Sequence, residues 1–198
     1  MEHDSTDIDA ASGTGDIPVR IGPVVWLYGL SGAGKTTLAE SLARHLALEA
    51  IPAQILDGDT LRRGLCRDLG YDEASRRENI RRAAEVAKLF AESGRVVLAA
   101  FVCPLRQMRE AARSIVGAEH FMEVYVRASY ETCARRDVKG LYASAEKGTI
   151  LHFTGRDDAF EEPLPGSEAL VVNTERHGIA RCTEEILAAL LPRIHAGE

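Results

Sequence analysis

The residues best suited to chemistry are Gly29-Leu30-Ser31-Gly32-Ala33-Gly34-Lys35-Thr36-Thr37, which directly follow the apolar run Val24-Val25-Trp26-Leu27-Tyr28. This is a phosphate-binding loop in the strand-then-helix setting that the motif requires. Gly29, Gly32 and Gly34 can take backbone angles closed to other residues, so successive amides turn inward around phosphate oxygens at a helix start. Lys35 adds a point charge for the β- and γ-phosphates, and Thr36 offers a hydroxyl to the magnesium ion that accompanies the nucleotide. A glycine-rich turn capping an ordinary helix would not need every one of these positions filled. The chain is therefore expected to bind a nucleoside triphosphate.

A carboxylate pair, Asp57-Gly58-Asp59, closes the next apolar stretch, Ala53 to Leu56. A carboxylate at a strand end can orient or deprotonate an attacking hydroxyl, and its neighbour can organise magnesium-bound water. On spacing alone, a solvated Asp-Gly-Asp turn explains the pair equally well. Arginines cluster at Arg62, Arg63, Arg76, Arg77, Arg81 and Arg82. Guanidinium forks suit phosphate and sulfate oxygens, and residues 76 and 79 share one helix face. A solvated arginine-rich face is the competing reading, above all for Arg77 and Arg81.

The elements that must position these groups alternate between strand and helix. Leu38, Leu42 and Leu46 recur on one helical face after the loop, and Ala53 to Leu56 form a short strand. Ile80, Ala83, Ala84, Ala87 and Phe90 mark a helix from Ser75 to about Ser93, with Gly94 placed to end it. Val96 to Phe101 is a buried strand, Arg106 to Val116 a helix, Met122 to Val126 a strand and Tyr130 to Arg136 a short helix. Ala169 to Val172 and Ile179 to His195 supply the last strand and helix. The polar stretch Asp137 to Gly166 breaks the alternation and is long for a structureless connection, which suggests a lid or binding segment. The pattern predicts an α/β fold on a parallel sheet, with ligands beyond the carboxyl ends of its strands.

Length and composition set the frame. At 198 residues, 45% hydrophobic and 27% charged, the chain suits one domain over residues 21–198. Residues 1–20 start acidic and rich in Ser, Thr, Gly and Asp, which reads as a disordered leader rather than a secretion signal. A net charge of -6 argues against general nucleic-acid binding, and no apolar run approaches a bilayer span. Cys66, Cys103, Cys133 and Cys182 are scattered without ligand spacing, as expected of a reduced, cytoplasmic protein. His45, His120, His152 and His177 are likewise scattered, so a structural metal is not expected.

Switch GTPases, motor or transport ATPases and small-molecule kinases share such a loop. The guanine-reading Asn-Lys-x-Asp pattern is absent, and the strand Val96 to Phe101 does not end in an acidic residue. A separate carboxylate pair and a glycine-containing lid favour a kinase, because phosphoryl transfer to a small hydroxyl needs positioning and exclusion of water.

Six segments then align with one family. Gly29 to Thr37, Asp57-Gly58-Asp59, Asp68-Leu69-Gly70-Tyr71, Glu78-Asn79-Ile80-Arg81-Arg82, Arg136-Asp137-Val138-Lys139-Gly140-Leu141-Tyr142 and Phe153-Thr154-Gly155 stand in the order and spacing of adenylylsulfate (APS) kinases. The resemblance covers about Val24 to Thr174. It implies a three-layer P-loop kinase fold with a mostly parallel five-stranded sheet and a lid. The implied reaction moves the ATP γ-phosphate to the 3′-hydroxyl of adenosine 5′-phosphosulfate, giving PAPS, with ATP and APS as small-molecule partners and magnesium as cofactor. A homodimer would be in keeping with the family.

The resemblance also implies roles. Residues 29–37 hold ATP, Asp57 takes the base-like role, and Lys35, Asp59 and Lys139 complete the catalytic set. Thr36 would meet magnesium, with Asp57 or Asp59 acting through water. Arg62, Arg76 and Asn79 match positions that hold the phosphosulfate and ribose, and Asp59 also counts among the substrate-binding residues. Tyr71 and Phe153 match the two aromatics that sandwich the adenine of APS, where the family usually has Phe at the first. Val102, Cys103, Lys139 and Leu141 complete the acceptor side.

The pattern departs from the family in the acceptor and lid half. Val102-Cys103-Pro104-Leu105-Arg106 stands where Ile-Ser-Pro-Tyr-Arg is common, Met108 where Asp is usual, Glu146 where Arg is usual, and Arg156-Asp157-Asp158 where Ile-Asp follows Phe-Thr-Gly. Cys103 rules out a phosphoserine route and favours direct in-line transfer; a small packing role is the usual fate of such a cysteine. Two alternatives stay open: a same-fold kinase for another nucleotide-linked hydroxyl, and a catalytically silent ATP-binding regulatory module.

Overall fold

The computed structural model describes residues 20–148 and 153–195. The expected leader, except for Arg20, lies outside these residues, as does His152 within the expected lid. The sheet is built from β1 (Val24–Tyr28), β2 (Ala53–Asp57), β3 (Val96–Phe101), β4 (Phe121–Arg127) and β5 (Leu170–Asn173). Its order is β2-β3-β1-β4-β5, and every pairing is parallel, where the sequence had suggested a mostly parallel sheet.

The central strand explains the layering. Val24 to Tyr28 is buried throughout, and its side chains alternate between two cores. Val25 and Leu27 pack with Leu38, Leu42 and Leu46 of α1 (Lys35–Leu48) and with Ile186 and Leu190 of α7 (Ile179–His195). Val24, Trp26 and Tyr28 face the other way, toward α3 (Glu73–Glu92) and α4 (Arg106–Val116). Trp26 stacks on Phe101 with ring centroids 5.1 Å apart, and Tyr28 stacks on Tyr125 at 5.3 Å, tying β1 to both neighbours on that face. Helices thus cover both faces of the sheet.

Two short helices fall where the sequence pattern showed none. Asp57 ends β2 and caps α2 (Gly58–Arg63), its Oδ1 accepting the amides of Asp59 at 3.0 Å and Thr60 at 3.2 Å. The Asp-Gly-Asp segment is therefore a helix start rather than a solvated turn. Within the expected lid, Asp137 accepts the amides of Tyr142 and Ala143 and secures α6 (Leu141–Glu146). α5 (Tyr130–Arg136) lies where expected. α3 begins two residues earlier than its periodicity suggested, because Asp72 caps it through the Ser75 amide and hydroxyl. All four cysteines are buried free thiols, and among the described residues no helix is long and apolar enough to cross a membrane.

Candidate active site

The carboxyl ends of β1, β2 and β3 open into a cavity of about 1330 Å³, the location expected for a parallel sheet. Its wall takes in Ser31, Gly32 and Gly34 to Thr37 from the loop after β1, and Asp57 and Asp59 at the β2–α2 junction. Arg62, Tyr71, Arg76 and Asn79 line it, as do Val102 and Cys103 after β3 and Lys139, Leu141 and Phe153 from the lid side. Of the loop residues 29–37, Gly29, Leu30 and Ala33 do not line it. They are buried beneath the loop, where a Cβ on Gly29 would lie 2.4 Å from the Val126 carbonyl oxygen. Gly29 also has φ near 151°, so both backbone and space demand glycine there.

Lys35 is the buried cation of the phosphate end. Its ammonium donates to the carbonyls of Gly29 at 2.9 Å and Leu30 at 2.7 Å. Burial pushes its pKa down to about 8, with the charge of Lys139 acting in the same direction. Next to it, the Thr36 hydroxyl donates to Asp57 Oδ2 at 2.7 Å. The lid lysine meets the second carboxylate: Lys139 pairs with Asp59, not with Asp57. Tyr142 of α6 donates its hydroxyl to the Ser31 carbonyl at 2.8 Å, fastening the lid side to the loop.

The opposite end is rich in guanidinium and aromatic groups. Arg62 lies 4.3 Å from the Tyr71 ring centroid and donates to the Gly70 carbonyl at 2.8 Å. Arg76 donates through Nε to the Tyr71 carbonyl at 2.6 Å. Tyr71 is 58% exposed, whereas Phe153 is buried edge-on against Tyr142, their centroids 4.7 Å apart. Asn79 Oδ1 and Thr154 Oγ1 are buried at this cavity and, among the described residues, have no hydrogen-bond partner. Buried polar atoms of that kind ordinarily meet a ligand or water. Arg77 and Arg81 instead face solvent and pair with Glu73 and Glu78, as the solvated-face reading had it.

Cys103 is 2% exposed, adopts φ near 41°, and has its thiol pushed up to about 12 by burial. A neutral buried thiol is a poor nucleophile. Met108 is core, and Glu146 is exposed at the end of α6.

Several contributors had no sequence signal of their own. Arg136 donates to the Gly32 carbonyl at 3.2 Å and to the Thr174 carbonyl at 2.7 Å, while the Thr174 hydroxyl donates to the Ala33 carbonyl at 2.7 Å. This clamp fixes the phosphate loop from the β5 side, and Thr174, His177 and Ile179 extend the cavity there. Arg136 belonged to a segment already noted, but its partner in the loop is 104 positions away. Among the described residues no group of three or more His, Cys, Asp or Glu side chains could hold a metal.

Comparison with known proteins agrees with this geometry. The Adenylylsulphate kinase family profile matches residues 21–172. An adenylyl-sulfate kinase of Aeromonas salmonicida is 48% identical over 167 residues, covering 84% of each chain. One of Paraburkholderia xenovorans is 49% identical over 170 residues, covering 86% of this chain and 93% of the relative. Among solved structures, the APS kinase of Mycobacterium tuberculosis in complex with AMPPNP and APS superposes with a TM-score of 0.81 at 40% identity, over 86% of this chain and 98% of that one. A gluconokinase from Sinorhizobium meliloti, at 18% identity and a TM-score of 0.61 over 89% and 95% of the two chains, shares the fold alone. The phosphate loop, the facing carboxylates, the arginine and aromatic end and these matches lead to one conclusion: the chain belongs to the adenylylsulphate kinase family.

Proposed function

We propose that this chain is an ATP-dependent phosphotransferase that moves the γ-phosphate of ATP to the 3′-hydroxyl of adenosine 5′-phosphosulfate, giving PAPS and ADP. One observation carries the reading: a single cavity joins the phosphate loop to an arginine and aromatic end, with Asp57 and Asp59 between them. Similarity to enzymes named adenylyl-sulfate kinase supports it. Residues 21–198 are read as one kinase domain, in a cytoplasmic setting that suits four buried free thiols.

Residues 29–37 hold the triphosphate through their amides, and Lys35 offsets charge on the β- and γ-phosphates. Arg62, Arg76 and Asn79 hold the phosphosulfate and ribose, while Tyr71 and Phe153 flank the adenine. Asp57 orients the 3′-hydroxyl and receives its proton as the new oxygen–phosphorus bond forms and the bond to the β-phosphate oxygen breaks. Transfer is direct, because Cys103 is buried and protonated. Lys139, swung from its pairing with Asp59, follows the phosphate in flight.

The residues present fit magnesium. The Thr36 hydroxyl and Asp57 carboxylate lie side by side at the loop, offering hard oxygen donors beside the phosphates, with Asp59 within the same wall. When bound, magnesium neutralises charge on the β- and γ-phosphates.

The test is to supply ATP, magnesium and APS and to measure PAPS and ADP together. Turnover with another nucleotide acceptor but not with APS would replace this reading. ATP binding with no transfer in a single turnover would favour a silent module.

A further inference from the structure

The acceptor half of the cavity contains a carboxylate that its anionic ligand has to contend with. The turn within the lid segment, from Phe153 to Asp158, is closed by backbone bonds from the Gly155 amide to the Asp158 carbonyl at 2.8 Å and from the Asp157 amide to the Phe153 carbonyl at 2.8 Å. The Asp157 carboxylate reinforces it by accepting the Phe153 amide at 3.1 Å. Arg156 ties the same turn to α6 through the Ala145 carbonyl. Asp158 therefore projects from a held backbone, and its Oδ2 lies 3.9 Å from Nη2 of Arg76.

The two groups differ in burial. The Arg76 side chain is 13% exposed and that of Asp158 is 35% exposed. Burial works against the Arg76 charge, and Asp158 is the largest influence supporting it. Arg76 lines the cavity beside Asn79, whose buried Oδ1 has no partner among the described residues. An anion arriving at Arg76 meets the Asp158 carboxylate as a competitor for the same guanidinium and as a like charge.

We propose that Asp158 is a specificity-determining residue of the acceptor site, weakening acceptor binding by competing for Arg76 and penalising ligands more strongly as their negative charge rises. The proposal rests on the reading of the acceptor as adenosine 5′-phosphosulfate.

The test is APS binding by calorimetry to the full chain, with turnover measured separately. Asp158→Asn keeps the shape and removes the charge, and is expected to tighten APS binding about fivefold while ATP affinity stays unchanged. In an Arg76→Gln background the gain from the same substitution is expected to shrink to less than about twofold, because the competition has lost its object and only the screened like-charge repulsion is left. Unchanged or weaker APS binding in Asp158→Asn overturns the proposal, and so does a gain of undiminished size without Arg76. APS that binds but is not phosphorylated counts against the proposed reaction alone. Absence of APS binding by the unaltered chain overturns both.

Discussion

ATP binding is expected to draw protons from solvent in a pH-dependent way, and Lys35 is the source of the effect. Burial first, and the charge of Lys139 second, hold its pKa at about 8 in the ligand-free protein. A triphosphate set against this ammonium supplies a counter-charge and lifts the pKa back toward the ordinary lysine value of about 10.4. Starting from about 8, the neutral fraction before binding is about 0.1 at pH 7, about 0.5 at pH 8 and about 0.9 at pH 9. The bound state stays almost fully protonated across that range, so uptake per ATP rises from about 0.1 to about 0.9 proton. Titration calorimetry in buffers of different ionisation enthalpy measures this number directly. Above pH 8 the triphosphate is itself deprotonated, its last ionisation lying near pH 6, so the lysine contribution stands alone. Lys139→Met is expected to move the uptake curve to higher pH. Uptake that stays flat or falls between pH 7 and pH 9 would refute the reasoning. The same depressed value gives a sign for stability. The unfolded chain binds more protons than the folded one between about 8 and 10.5, so Lys35 makes ligand-free stability rise with pH through that window.

Asp57→Asn is expected to lower kcat at least about a hundredfold while ATP still binds, as measured by steady-state rates beside nucleotide titration; wild-type-like turnover would remove Asp57 from the chemistry. Cys103→Ala is expected to keep most activity, and the native thiol to resist alkylation at pH 8 in the folded protein, since burial pushes it up to about 12; rapid labelling with loss of activity would contradict the packing role. Glu175 is held down to about 2, first by the Thr132 hydroxyl and then by the Ser129 amide and hydroxyl. A depressed carboxylate stabilises the fold above its unfolded value and loses that contribution as pH falls. Glu175→Gln is therefore expected to flatten the melting-temperature profile between about pH 4.5 and pH 2, and an unchanged acid limb would count against the pairing.

The strands and longer helices were legible because each carries its own period or a buried apolar run. β1, β3, α4, α5 and α7 fall on the bounds that their residues suggested. α2 and α6 escaped for a common reason: each spans six residues, too few for a period, and the amides of each are held by an aspartate, Asp57 or Asp137, in a glycine-containing stretch that also reads as turn chemistry. The phosphate loop was legible because its parts are contiguous. Its outer support was not, since Thr174 reaches Ala33 across 141 positions and neither residue is unusual by itself. Tyr71 and Phe153 also came out unequal, one exposed under Arg62 and the other wedged on Tyr142, a difference that only packing determines.

The placement of β1 at the middle of the sheet bears on how the protein is made. Its hydrogen-bonding partners are β3 and β4, so Val24 pairs with Val97 and with Phe121. During synthesis the first strand must wait for both, a fully apolar segment held without neighbours while about 100 further residues are added, or several seconds at usual elongation rates. The strand that anchors the nucleotide loop completes its pairing with β4 only at Tyr125, so that residue has to clear the ribosome first. The phosphate loop is thus synthesised well before it can become functional, and nascent chains stalled before β4 are the ones expected to engage chaperones.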